Sequence, residues 1–370
     1  MRREGLSLKG VFPALVTPFD RKTEALDEEG FRRLIRHVLP HVDGVVTSGT
    51  TGEFPYLSRE EQRRLVEIAR EEVEAYGRTP VPLVIAGCGA SGTPEALTLA
   101  QDAKEAGADA VLVVTPYFLH PSDKGVYQHF YDIATGVDIP LILYNIPQVM
   151  DRYLPRRVVE DLADLPNVVG LKDSSGDLTY TMEILEYAGD RIDVLIGCDE
   201  IVVPALAGGV TGMILASAQV YPEVWQEVLR LMDEGRVEEA RALQRRVQKL
   251  SRIFCRYGGG VAVKAALNMM GIPVGRPRRP LKSVGGALIH EVRAEIRLEL
   301  EKLGKIQVEE EPFEYPGGPL EGRFGDLELT PEDIRAHNLR VGSGTAGEGL
   351  NKVQLDLVAG RKETPLGDAY

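Results

Sequence analysis

Eight short apolar runs, each followed by a segment of helical pattern, constrain this chain more than any other feature. They lie near Val11–Val16, Gly44–Thr47, Pro82–Ala86, Ala110–Val114, Leu141–Tyr144, Val168–Leu171, Val194–Ile196 and Gly212–Leu215. The runs are rich in β-branched residues and apolar on both sides. That suits parallel strands covered on both faces. Eight strand–helix alternations over about two hundred residues predict an α/β fold, a (β/α)8 TIM barrel. A doubly wound open sheet is the competing arrangement, and alternation alone does not separate the two.

The helices between the runs have readable starts and stops. Ser58 with Glu61 predicts a capping box, in which each side chain satisfies a free backbone N–H of the first turn. Asp27 caps a helix from Glu28 to Leu39. Thr93 followed by Pro94 reads as a cap with proline at the first helical position. Gly107 in "KEAGADA" sits where a left-handed stop is needed. Further helices are expected over Pro222–Met232, Val237–Tyr257, Val261–Met270 and Ser283–Leu303. In the second of these, Val237, Ala240, Leu243, Val247, Leu250 and Phe254 recur at three or four residues, which predicts one buried face. "YGGGVAVKAA" reads as a flexible break between two helices.

These signals divide the chain into a barrel over residues 1–220, helices packed on it over 221–304, and an accessory extension over 305–370. The extension opens with the acidic, Pro- and Gly-rich "EEEPFEYPGGPLEGRFGD". It is too poor in apolar side chains to build a core of its own. It reads as a tail that docks on the barrel or a neighbouring subunit, or that recruits a partner enzyme.

Composition excludes several function classes. The chain has 370 residues, 44% of them hydrophobic, and a net charge of -13. Excess acid argues against nucleic acid, which needs a basic face, and against an anionic membrane surface. No apolar stretch is long enough to span a bilayer. The N-terminal MRREGLSLKG is basic but lacks the apolar run of a signal peptide. Cys88, Cys198 and Cys255 are scattered and form no CxxC. Together these features point to a cytoplasmic protein with no disulfide framework. His37 and His41 stand four apart, but Pro40 breaks the helix they would share. The remaining histidines have no ligand spacing, so no metal is expected.

In a parallel barrel the active site lies at the C-terminal ends of the strands. The polar residues expected there are Gly49-Thr50-Thr51-Gly52-Glu53, Thr115-Pro116-Tyr117-Phe118, Tyr144-Asn145 and Lys172. Lys172 carries the most information. Burial disfavours its charged form, and a neutral lysine amine attacks carbonyls to form a Schiff base. The competing role is a lysine that snorkels to water or pairs with Asp173. The Gly-Thr-Thr-Gly turn offers backbone N–H groups and two hydroxyls. It is too short for a Walker loop and suits a small anion such as a carboxylate.

At these residues the sequence resembles the dihydrodipicolinate synthase / N-acetylneuraminate lyase family of Schiff-base, class I, pyruvate-dependent aldolases. The stretches that carry the resemblance are "VFPALVTPF", "SGTTGEFPYLSREE", "VIAGCGA", "VTPYF…GVYQHF", "LILYNIP", "VVGLKDSSGD" and "VKAALNMMGI". They occur in family order over residues 8–304. The resemblance implies a (β/α)8 barrel with a helical C-terminal region, usually a homotetramer built from tight dimers. It implies that Lys172 forms the imine with a 2-oxo acid, typically pyruvate. It implies that Tyr144 shuttles protons, that Thr50 links that tyrosine to the site, and that Thr51 holds the substrate carboxylate. Gly49, Tyr117 and Ile214 are then the further substrate-binding candidates. The covalent imine serves in place of a cofactor.

Two departures stand out. The synthases carry two tyrosines after strand 4, the second completing a proton relay across the dimer; here the pair is Tyr117-Phe118. They also carry an arginine shortly after the YNxP motif; here Val149 holds that place and Arg152 is displaced by several residues. "GEFPYL", "LKDSSGD" and "GCDE" look closer to branches that cleave sugar-derived or hydroxylated 2-oxo acids. The expected function is therefore an aldolase or lyase that condenses pyruvate with an aldehyde, or cleaves a 2-keto-3-deoxy sugar acid or 4-hydroxy-2-oxoglutarate. The alternatives are 4-hydroxy-tetrahydrodipicolinate synthase of lysine biosynthesis and, from another class, a regulatory barrel that binds 2-oxo acids without turnover.

Overall fold

Eight parallel strands pair in the order β1-β8-β7-β6-β5-β4-β3-β2. They are β1 (Gly10–Pro13), β2 (Gly44–Thr47), β3 (Leu83–Gly87), β4 (Ala110–Val114), β5 (Leu141–Asn145), β6 (Val168–Asp173), β7 (Asp193–Ile196) and β8 (Gly212–Leu215). The two ends of this order meet through a parallel bridge between Ala14 and Val46. Leu15 N–H donates to the Val46 carbonyl at 2.9 Å and Asp43 N–H to the Val11 carbonyl at 3.0 Å. The sheet is thus a barrel, and the open-sheet alternative is set aside. The structure, a computed structural model, describes residues 6–282 and 287–307. The chain divides into two compact units, Met1–Val284 with Arg293–Ile306, and Gly285–Val292 with Gln307–Tyr370. The account that follows concerns the first; the tail expected beyond Gln307 lies outside the described residues.

Burial explains why the strand runs lack alternation. Every residue of β1, β2, β4, β5, β7 and β8 is buried. Phe12, Val46, Ile85, Leu112, Val114, Ile142, Leu195 and Ile214 share one cluster. Their neighbours in sequence face the surrounding helices, so both faces of each strand exclude water.

The helices are α1 (Glu28–Val38), α2 (Arg59–Tyr76), α3 (Thr93–Glu105), α4 (Asp123–Gly136), α5 (Pro147–Met150), α6 (Arg156–Leu162), α7 (Leu178–Ala188) and α8 (Val202–Gly208). After the barrel come α9 (Pro222–Asp233), α10 (Val237–Arg256), α11 (Gly260–Met269) and α12 (Ala287–Lys302). The capping box at Ser58 and Glu61 is formed, and Asp27 accepts from Gly30 N–H. Gly107 takes the left-handed conformation just past α3.

Two local expectations differ from the structure. Gly92, not Thr93, caps α3. The Thr93 hydroxyl is drawn instead to His129 Nδ1 at 2.9 Å. On α10 the stripe begins at Ala240, because Val237 is exposed at the helix start. The polar Gln244 is buried among the apolar residues. It accepts from Val203 N–H at 2.8 Å and donates to the Glu200 carbonyl at 2.8 Å, so its amide is satisfied. The break between α10 and α11 is built from Gly258 and Gly259, both with positive φ.

Candidate active site

Lys172 is the penultimate residue of β6, which runs past the expected Leu171 to Asp173. Alternation along the strand sends Lys172 and Asp173 to opposite faces. Asp173 is wholly buried and fully engaged. It accepts from Asn145 Nδ2 at 2.8 Å, Ser175 N–H at 3.0 Å, Ser175 Oγ at 3.0 Å and Thr181 Oγ1 at 2.7 Å. The Lys172–Asp173 pairing is therefore absent. Lys172 is only 6% exposed, so it does not snorkel either. Among the described residues its ammonium has no ion-pair or hydrogen-bond partner. Its Nζ instead lies 4.1 Å from the centroid of the Tyr144 ring.

The register places these two side by side: Tyr144 on β5 pairs with Lys172 on β6, which pairs with Leu195 on β7. Tyr144 is buried, and its hydroxyl has no protein partner among the described residues. Gly197, just after β7, makes room for the lysine stem. A Cβ there would meet Lys172 Cε at 2.8 Å and Ser174 Oγ at 2.1 Å.

The turn after β2 is tight. Gly52 N–H donates to the Gly49 carbonyl at 3.0 Å and Glu53 N–H to the Thr50 carbonyl at 3.1 Å. Thr17 Oγ1, in the segment after β1, ties it down by donating to the Gly52 carbonyl at 2.7 Å. Ser48 and Glu53 both adopt positive φ. Gly49 is buried, yet a Cβ on it would meet nothing within 4 Å. Thr51 is buried and Thr50 is exposed. The Thr50 hydroxyl makes no hydrogen bond to Tyr144 here.

The other candidates are spread around the barrel. Tyr117 is half-buried and packs edge-on against Phe54, ring centroids 6.0 Å apart. Burial, with Glu95 nearby, raises its phenol above the usual range. Ile214, opposite Phe12 on β1, is part of the barrel core with Tyr144. Phe118 is 89% exposed and has φ of 72°. Val149 is also exposed. Arg152 is already engaged, donating to the Pro121 carbonyl and, at 2.7 Å, to the Asp123 carboxylate.

Two features were not singled out from sequence. Asp199, after β7, is buried and accepts from Ser217 Oγ, which in turn accepts from Trp225 Nε1 at 2.8 Å. Burial raises its carboxyl to about 6, against the lowering effects of Ser217 and Cys255 and the charge of Lys172. The "GCDE" string was its signal. The other is the partner of Glu53, taken up below.

Comparison with known proteins identifies the family. The Dihydrodipicolinate synthetase family matches residues 7–298. A 4-hydroxy-tetrahydrodipicolinate synthase of Methanopyrus kandleri is 39% identical over 304 residues, 82% of this chain and 98% of that protein. One of Pelobacter propionicus is 40% identical over 283 residues, 75% and 94%. The crystal structure of the Aquifex aeolicus dihydrodipicolinate synthase is 34% identical, with a TM-score of 0.74, covering 80% of this chain and 98% of that one. The chloride-inhibited Acinetobacter baumannii synthase complexed with pyruvate is 32% identical, with a TM-score of 0.76, covering 81% and 100%. No helix among the described residues is long and apolar enough to cross a membrane. The chain belongs to the dihydrodipicolinate synthetase family of Schiff-base-forming, class I carbon–carbon lyases.

Proposed function

We propose that this chain is a 4-hydroxy-tetrahydrodipicolinate synthase. The carrying observation is the buried, unpaired Lys172 against Tyr144, in a chain 36–40% identical to synthases of that name along nearly their whole length. These relatives favour the synthase over the sugar-acid branch of the same class.

In this reading the Lys172 amine attacks C2 of pyruvate. The carbinolamine loses water and leaves a protonated imine. Tyr144 delivers and removes the protons, its hydroxyl being free of protein partners among the described residues. The imine withdraws electrons, so C3 gives up a proton and becomes an enamine carbon. That carbon bonds to the aldehyde carbon of the second substrate, whose amino group then attacks the imine carbon, closing the ring, expelling the Lys172 amine and releasing the product. The Thr51 hydroxyl and the backbone N–H groups after Gly49 hold the pyruvate carboxylate, with Thr50, Tyr117 and Ile214 completing the site. The electron sink is the imine itself, so no separate cofactor enters the scheme.

The assembly we favour is a dimer of dimers, since Phe118 and Leu119 present bare apolar surface at the mouth of the barrel. Related structures include one described as a monomeric synthase variant, 30% identical. Three free cysteines fit a reducing cytoplasm.

A second reading, cleavage of a hydroxylated 2-oxo acid, draws on Phe118 and Val149, which supply neither a relay hydroxyl nor a guanidinium. The test is intact-protein mass spectrometry after pyruvate and borohydride, followed by assay of synthase product against cleavage of 4-hydroxy-2-oxoglutarate and 2-keto-3-deoxy sugar acids. A pyruvate-sized adduct with faster synthase turnover supports the proposal. An adduct with faster cleavage supports the second reading. Pyruvate binding with no adduct and no turnover points to a binding barrel.

A further inference from the structure

The turn that carries Thr50 and Thr51 ends in Glu53, whose side chain turns away from the barrel axis into the C-terminal helices. Lys264 Nζ on α11 lies 2.5 Å from Glu53 Oε1, and the two side chains are 1% and 3% exposed. Arg278 N–H donates to Glu53 Oε2 at 2.8 Å, so both carboxylate oxygens are engaged. Lys264 also donates to the Arg276 carbonyl at 3.1 Å. The Arg278 guanidinium pairs with both oxygens of Glu61 at 2.7 Å and donates to the Tyr56 carbonyl at 2.6 Å. Lys264 and Arg278 both lie over the Phe19 ring, at 4.4 and 4.1 Å from its centroid. At the start of α11, Gly260 presses on the turn so closely that a Cβ would come 2.5 Å from the Thr51 carbonyl oxygen.

A buried ion pair is a poor source of stability, because desolvation offsets the attraction; fixing one arrangement is its better-attested role. Here it holds a strained element. Glu53 has φ of 62°, a conformation that a residue with a Cβ keeps only when its surroundings impose it. Burial also lowers Lys264 to about 8 in spite of the carboxylate beside it. The charge is kept at a cost in desolvation.

We propose that Glu53 and Lys264 are positioning residues, which fix the Thr50–Thr51 turn from behind so that its hydroxyls and N–H groups meet the pyruvate carboxylate in one geometry. The proposal rests on Lys172 as the imine-forming residue. It separates binding from chemistry: the pair touches neither Lys172 nor Tyr144, so its loss should weaken capture of the 2-oxo acid without removing the amine.

The test uses the full-length Glu53→Gln, Lys264→Met and double variants, each checked by thermal melting. The adduct trapped by borohydride is measured against pyruvate concentration. The half-saturating pyruvate concentration should rise at least tenfold in each single variant, while trapping at saturation still reaches the wild-type level. In the double variant the rise should match that of one single variant, even where thermal stability recovers. If a single variant fails to fold, the double variant, which leaves no charge unpaired, reads the same quantity. A folded variant with wild-type half-saturation overturns the proposal. A wild-type protein that traps no pyruvate overturns the imine reading itself, and the two failures are thereby distinguished.

Discussion

Lys172 Nζ lies 4.1 Å from the centroid of the Tyr144 ring, and the two residues are direct partners across β5 and β6. The amine is packed on an aromatic face and has no hydrogen-bond or ion-pair partner among the described residues, the nearest carboxylate influence being that of the buried Asp199. Lys172→Arg should therefore abolish the borohydride-trapped adduct, because a guanidinium stays protonated and is no nucleophile. Tyr144→Phe should keep the fold and lower turnover by about 10²–10⁴, the usual worth of positioned proton transfer. Intact mass and steady-state rates check both. An adduct on Lys172→Arg would remove that residue from the chemistry.

Phe118 stands 89% exposed at the barrel mouth with φ of 72°. Within one protomer the side chain is almost wholly exposed, so Phe118→Tyr adds a hydroxyl without loss of packing inside the chain. Turnover should rise if the relay is merely incomplete. An unchanged or lower kcat would mean that protons leave by another path.

Gly197 bears directly on the lysine stem. In Gly197→Ala the new methyl would sit 2.8 Å from Lys172 Cε and 2.1 Å from Ser174 Oγ. Displacing the amine by a fraction of an ångström should slow imine formation about 10–100-fold, since misplacement on the order of 1 Å can cost that much. Stopped-time borohydride trapping measures the rate. Wild-type kinetics would show that the side chain finds another route to the same position.

His129 provides a stability test away from the site. It is buried, its Nδ1 pairs with Thr93 Oγ1, and its Nε2 has no hydrogen-bond partner among the described residues. Burial lowers it from 6.5 to about 4, with Asp132 only partly opposing this. The unfolded chain then takes up a proton that the fold refuses. Stability should fall as pH drops from about 6.5 toward 4 and level off below, by at most about 3 kcal/mol. Thermal melts across that range, with His129→Gln as comparison, check the slope. The variant should lose this part of it.

The contrast between what could and could not be read in the chain follows from distance along it. Ala110–Val114 and Gly44–Thr47 were legible to the residue, because a buried parallel strand writes itself as a continuous apolar run. The Ser58–Glu61 box was legible because capping is a local bargain among four residues. Thr93 misled because its hydroxyl is claimed by His129, 36 positions away. Lys172 and Tyr144 could be named from their strand ends, but that Asp173 turns to Asn145 and Thr181 needed the pleat. Glu53 could be quoted as part of a motif, while its partner at Lys264, 211 positions on, left no trace in the spacing.

That separation has a consequence for how the protein is made. Lys172 and the strands beside it, β5 and β7, all precede Lys264 in the chain. The turn at Thr50 and Thr51 cannot be braced until Lys264 and the backbone of Arg278, 225 positions after Glu53, have left the ribosome. On the roles proposed above, the imine-forming lysine is synthesised before the residues that brace the carboxylate-holding turn, so that turn is completed only once the C-terminal part of the chain has been made.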